Sequence, residues 1–206
     1  MTLPASGQIS MSQVRTELSL SGQISLGQSE VRTLFGVASG QIKLSDGYGK
    51  SAVTIYKPST YTITNSIFGS VTNPANAYDS STTTYAYVNS GQSTIYGGGY
   101  IETIVYSGFP SVTFTGTLTI TNAWTCSTVS VDEQAEVKIS VSTNGGSTYG
   151  TVLVDDLELD GSSNSHTTPY TMAISGLNLS NLRIKFEAMT SFYGQATITV
   201  YDIKVQ

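Results

Sequence analysis

The chain has 206 residues, of which only 11% are charged, and a formal net charge of −5. That length suits one domain of about 150 residues with an appendage. The acidic balance, with nine scattered Lys and Arg, excludes nucleic acid as a partner, because such binders need a basic patch.

The polarity comes instead from Ser, Thr, Asn, Gln, Gly and Tyr, which suits an all-β protein with many turns. The first residues, MTLPASGQIS, have neither the basic nor the apolar stretch of a secretory signal. No apolar run approaches the ~20 residues of a membrane span. Folding in a cytoplasm, without membrane insertion, is the expectation.

The first elements are repeats. SGQISMSQVRTEL (6–18) is followed by SGQISLGQSEVRTLFG (21–36) and by a truncated third unit, SGQIKLSDGYGKS (39–51). Each opens on a Ser-Gly turn and a short extended stretch. In the first two a helix follows: Ser10 with Gln13, and Ser25 with Gln28, fit the S-x-x-Q capping box. Met11, Val14 and Leu18 form one apolar stripe, Val31, Leu34 and Phe35 another, and Gly36 is a C-terminal stop. Helices of about two turns are marginal alone, and these stripes are too sparse for a private core. Segment 1–51 is therefore expected to dock, either on the chain's own β domain or on another protein; the recurrence of the unit favours the second. The docking residues would be Ile9, Met11, Val14, Leu18, Ile24, Leu26, Val31, Leu34, Phe35 and Ile42.

In residue order, 3–51 resembles the N-terminal segments of bacteriophage virion proteins, where SGxISMSxIRxEL-type runs precede tail-fibre-like or other appendage domains. The resemblance implies a non-enzymatic structural component of the virion, in a tail, neck or fibre-type appendage. Its partners would be other virion proteins and copies of itself, with a trimer favoured. Gly27-Gln28-Ser29 departs from the usual Asn-Asp pair, and Tyr48 follows Gly47 where an aromatic pair is common.

From Ala52 the period changes to two. Strands are expected over 52–57, 60–64, 100–106, 111–121, 136–143, 171–175, 182–188 and 196–205, separated by turns at Asn73-Pro74, Gly97–Gly99, Asn144–Gly146 and Asp160-Gly161. Strands of this number and length, with polar outer faces, read as a mainly β protein: an antiparallel jelly-roll β-sandwich over 52–206, preceded by the anchor segment.

Within it, NPANAYDSSTTTYAYV (73–88) resembles the NAFDGNxxTxW-type loop of galactose-binding-like jelly rolls, and 139–152, 179–191 and 200–205 resemble their closing strands. That resemblance implies sugar binding and a weak candidate Ca²⁺ site at Asp79 and Thr83. Ser80 replaces the usual Gly, and Tyr85 stands where Trp is common. Read as residues alone, the loop is an Asx-type turn with no ligand.

Nothing marks catalysis or a cofactor. His166 lies in a polar loop-like stretch without a G-x-S-x-G nucleophile. Cys126, the single cysteine, reads as a buried hydrophobe in a strand. The carboxylate pairs Asp132/Glu133, Asp155/Asp156 and Glu158/Asp160 could be sought for glycoside hydrolysis. Alternation puts Asp156, Glu158 and Asp160 on one strand face, which reads as a solvated acidic face. Tyr85, Tyr87, Tyr96 and Tyr100 flank the Gly-rich run VNSGQSTIYGGGY and are the candidate glycan contacts. The alternative function is thus a carbohydrate-binding adhesion module that recognises host surface glycans.

Overall fold

The computed structural model describes every residue except 1–2, 53, 66–68, 80, 82, 92–98, 130 and 192. The chain divides into two compact units, Met1–Thr54 and Ile55–Gln206.

In the first unit, α1 (Met11–Glu17) starts at the expected capping box: Ser10 Oγ accepts from the Gln13 amide at 3.2 Å, and Gln13 Oε1 accepts from the Ser10 amide at 2.8 Å. The second unit differs. Its two extra residues form a turn ahead of α2 (Ser29–Phe35), so Gln28 is the N-cap, although Gln28 Oε1 still accepts from the Ser25 amide at 3.4 Å. Gly36 ends α2 in the left-handed region, as the sequence implies. The third unit makes a short 3-10 turn, Leu44–Gly47, and Asp46 takes the place of the Gln by accepting from the Lys43 amide at 2.8 Å.

The Ser-Gly turns are equivalent too. Gly7, Gly22 and Gly40 have φ of +89°, +80° and +83°, a region that only glycine enters freely. The carbonyl of each is bound by another repeat. Arg15 of the first unit donates to Gly22, Arg32 of the second to Gly40, and the Tyr48 hydroxyl of the third to Gly7. Backbone bonds from Leu3 to Lys50 and from Gly49 to Pro4 close the segment end to end.

This arrangement overturns the expectation that the stripes are too sparse for a private core. Leu3, Ile9, Val14, Val31, Leu34 and Phe35 are buried against one another, with Leu18, Ile24, Leu26 and Ile42 packed around them. Met11 is half-buried beside the turn at Gly22. Helical periodicity judges one helix at a time and misses a core that three units share. The proposed docking side chains are therefore mostly occupied at home.

The second unit is an antiparallel jelly-roll β-sandwich. Its strands are β1 (Thr60–Thr64), β2 (Ser70–Thr72), β3 (Ala86–Asn89), β4 (Gly99–Ser107), β5 (Thr113–Ser127), β6 (Gln134–Ser142), β7 (Thr151–Leu159), β8 (Ser163–His166), β9 (Tyr170–Asn178), β10 (Arg183–Ser191) and β11 (Gln195–Val205). One sheet runs β1-β4-β10-β6-β7. The other runs β2-β3-β11-β5, and the far edge of the long β5 pairs first with β9 and then with β8.

Alternation decides which faces meet. Ile104 and Tyr106 of β4, Val137 and Ile139 of β6, Ile184 and Phe186 of β10, and Ile198 and Val200 of β11 are all fully buried in one core. The expected strand over 52–57 is absent among its described residues: Tyr56 alone makes a bridge, to Val205. Four strands were not among those expected: β2 and β8, whose Ser, Thr and Asn give little apolar alternation to read, the four-residue β3 (AYVN), too short for its alternation to stand out, and β7, whose carboxylates mask its period.

Candidate functional site

The outer face of the β2-β3-β11 sheet carries an open groove of about 350 Å³, lined by Thr72, Asn73, Tyr85, Tyr87, Thr199 and Tyr201. Its floor is a row of register partners: Thr72 pairs with Tyr87, and Tyr87 with Thr199. Ala86 and Val88 of β3 turn into the core, so Tyr85 and Tyr87 turn out. On β11 Val200 turns into the core, so Thr199 and Tyr201 turn out to the groove, and the register shifts between Val200 and Asp202. The Tyr85 and Tyr201 rings meet edge to face, with centroids 5.9 Å apart.

One end of the groove is set by Asn73-Pro74. Asn73 sits in the left-handed region at φ 49°, and Pro74 opens the 3-10 turn Pro74–Tyr78. Two bonds hold that turn: the buried Tyr106 hydroxyl donates to the Pro74 carbonyl at 3.0 Å, and Asn76 Nδ2 donates to the Tyr85 carbonyl at 3.2 Å. Tyr106 packs edge to face on Phe186 and Tyr78. Burial, first, then the neighbouring Tyr78 and Tyr61, raise its hydroxyl pKa far above the phenolic range, so it stays a donor.

Of the four candidate glycan contacts, the structure brings together Tyr85 and Tyr87. Tyr100 lies on β4 in the other sheet, opposite Thr190, and Tyr96 falls outside the described residues. The sequence reading missed Tyr201, Thr199, Thr72 and Asn73, which are distant along the chain. The alternation of TITVYD marked Thr199 and Tyr201 as one face, and that was the available signal.

The two weak Ca²⁺ candidates, Asp79 and Thr83, lie in one hydrogen-bonded turn. Asp79 Oδ1 accepts from the Ser81 amide at 2.8 Å, an Asx-type turn, and Oδ2 accepts from Thr84 at 2.6 Å, not from Thr83. The Thr84 hydrogen bond, then the Ser81 amide, hold the Asp79 carboxyl below its usual range. Thr83 instead shares a hydrogen bond with the Ser81 hydroxyl. Among the described residues no three His, Cys, Asp or Glu side chains gather to hold a metal ion.

The acidic pairs are spent locally. Asp155 accepts from Lys138 at 2.8 Å on the outer face, while Asp156 turns to the opposite face and accepts from Asn164 at 2.7 Å. Asp156 and Glu158 do share a face, but they oppose the buried Val137 and Ala135, so it is the inner face of an edge strand and not a solvated one. Asp160 Oδ1 accepts from the Asp132 amide, and Glu133 from the Val129 amide. His166 is not a loop residue: it ends β8 and stacks between Trp124 and Tyr170. Cys126 is buried in β5, as expected, and burial pushes its thiol up to about 12.

No protein-family model and no curated protein matches the chain. Among solved structures it is similar to the CBM32 domain of AlyQ in complex with 4,5-unsaturated mannuronic acid, at 12% identity over 75% of this chain and 98% of that one, with a TM-score of 0.33. It is also similar to the K3 cleaved adhesin domain of Lys-gingipain from Porphyromonas gingivalis, at 13% identity over 73% and 94%, with a TM-score of 0.38. A third is TmCBM61 in complex with β-1,4-galactotriose, at 11% identity over 73% and 90%, with a TM-score of 0.27. Likenesses this distant do not fix what this chain binds.

Proposed function

We propose that Ile55–Gln206 is a non-catalytic carbohydrate-binding module and that the tyrosine groove is its sugar site. The observation that supports this reading is the convergence of Tyr85, Tyr87 and Tyr201 with Thr72, Asn73 and Thr199 in one groove of about 350 Å³. That volume falls within the ~300–1,000 Å³ of small-molecule sites. Tyrosine faces take the apolar face of a sugar ring, and hydroxyls and an amide meet its rim. Calorimetric titration of the full chain with oligosaccharides tests it. Tyr85→Ala and Tyr201→Ala should each weaken binding about tenfold, or ~1.4 kcal/mol, without lowering the melting temperature. Full affinity in the double variant would refute the site.

A second reading concerns the first unit, and it rests on the resemblance to virion proteins together with one structural feature. The triplets Ser6–Gln8, Ser21–Gln23 and Ser39–Gln41 are all exposed, and Gln8, Gln23 and Gln41 make no hydrogen bond among the described residues. The repeated tips, and not the buried Ile side chains, would then face another virion protein, with the chain as a tail, neck or fibre-type component. Replacing all three Gln by Ala should leave the unit folded and reduce incorporation into particles; unchanged incorporation would sink the reading. Ile9→Asp cannot serve as that test, since it puts a charge into the unit's own core.

A further inference from the structure

We infer that the glycan taken by the groove is uncharged and spans at least two sugar rings; this rests on the carbohydrate reading above. The inference begins from what the walls contain. Thr72, Asn73, Tyr85, Tyr87, Thr199 and Tyr201 are all neutral. None of the residues outside the described set is charged either, so no hidden side chain changes that inventory.

The charges that adjoin the groove residues along the chain are already engaged elsewhere. Asp202, directly after Tyr201, is 8% exposed and ion-paired with Lys57, and Lys204 stands 3.8 Å from its other oxygen. Asp79, at the end of the Pro74–Tyr78 turn, is bound by Ser81 and Thr84. A sugar carboxylate or sulfate in the groove would give up hydration with no cation in the walls to replace it. The chain's net charge of −5 opposes its approach as well.

The hydrogen-bonding groups agree with this. Threonine and tyrosine hydroxyls and an asparagine amide each both donate and accept, as sugar hydroxyls do. A carboxylate only accepts, so where it meets the wall the acceptor lone pairs facing it go unmatched. The length follows from the sheet. Thr72, Tyr87 and Thr199 are register partners on three adjacent strands, two spacings or about 9.6 Å across. A single ring leaves part of that row empty; two linked rings cover it.

The test presents the full chain to an array of neutral and acidic glycans, followed by calorimetry with mono- and trisaccharides and with a trigalacturonate. The expected result is binding of a neutral trisaccharide at least tenfold tighter than its monosaccharide and than the trigalacturonate. In addition, Thr199→Lys should raise trigalacturonate affinity several-fold while lowering that for the neutral sugar. Equal or tighter binding of the acidic glycan in the wild type overturns the charge selection but leaves a sugar site standing. Equal binding of mono- and trisaccharide overturns the length. Binding of no glycan on the array removes the carbohydrate reading and this inference with it.

Discussion

At the scale of single residues, two buried polar groups have opposite fates. The Tyr106 hydroxyl is 0% exposed as a residue and bonded to the Pro74 carbonyl. Tyr106→Phe keeps the packing on Phe186 but orphans that carbonyl, and should cost about 1–3 kcal/mol. Because Pro74 follows Asn73, the same change should weaken sugar binding, which calorimetry of the variant would show; unaltered affinity would mean that Asn73 is held without it. Asn122 is the contrary case. It is 1% exposed among core residues of β5, and neither side-chain atom has a hydrogen-bond partner among the described residues. Asn122→Val removes that desolvated amide and should raise the melting temperature by several degrees, worth about 1–2 kcal/mol. A lower melting temperature would show that the amide is satisfied in solution. Which tyrosines form the groove was half legible at this scale. Tyr85 and Tyr87 announce themselves beside a turn loop. Tyr201 shares the outward face of Thr199 by plain alternation, but it lies more than a hundred residues along the chain from that loop, and only the pairing of β3 with β11 brings them together.

At the scale of elements, the repeats were visible as repeats, and their meaning was not. A two-turn helix looks marginal when taken alone. What stabilises each one is the arginine of VRT, which reaches the turn glycine of the following unit, a contact between elements that no helical stripe encodes. Arg32 makes three bonds to backbone carbonyls, one to the turn glycine Gly40 and two more to Gly27 and Val37, whereas Arg15 makes one, to Gly22. Arg32→Ala should therefore destabilise Met1–Thr54 by about 1–2 kcal/mol and Arg15→Ala by roughly half of that. Lysine should rescue neither fully, since it lacks the guanidinium fork. Equal effects in thermal melts would count against the ring of contacts.

The outer face of the β4-β10-β6-β7 sheet gives a pH-dependent counterpart. Lys138 lies between Asp155 and Glu136, with the Lys185–Glu187 pair on neighbouring β10. The Lys138 hydrogen bond, first, holds the Asp155 carboxyl below its usual range; burial, then Asp155, push the Glu136 carboxyl up. The stability from a depressed Asp155 is present above its unfolded value and lost as pH falls through the folded one. The raised Glu136 acts oppositely: its contribution is full below the unfolded value and lost as pH rises through the folded one. Lys138→Met removes the cation that tolerates both charges. It should cost about 0.5 kcal/mol at pH 7, with the difference closing as pH falls below the ordinary aspartate range and on through the depressed folded value of Asp155. A pH-independent difference in denaturation would assign the effect to packing.

At the scale of the whole molecule, the change of period at Ala52 located the passage from one unit to the next, and the sandwich followed from alternation because most of its long strands have one face in the core. What stayed hidden was that the first unit has a core as well. Its buried cluster of Leu3, Ile9, Val14, Val31, Leu34 and Phe35 shares no member with the cluster of the second unit. Two separate cores predict two cooperative transitions in calorimetry of the full chain. At about 0.7 kcal/mol per residue the enthalpies should be roughly 38 and 106 kcal/mol near 60 °C. The smaller transition should come first. A unit ending at Thr54 buries a smaller fraction of its surface than a sandwich does, and it has no cysteine to staple it. A fragment of Ile55–Gln206 should lose the first transition, keep the second, and give a far-UV spectrum dominated by β structure. It should also keep the full chain's affinity for sugar, because every groove residue lies beyond Ile55. A single transition in the full chain, or a fragment that no longer melts cooperatively, would show that the two cores depend on each other.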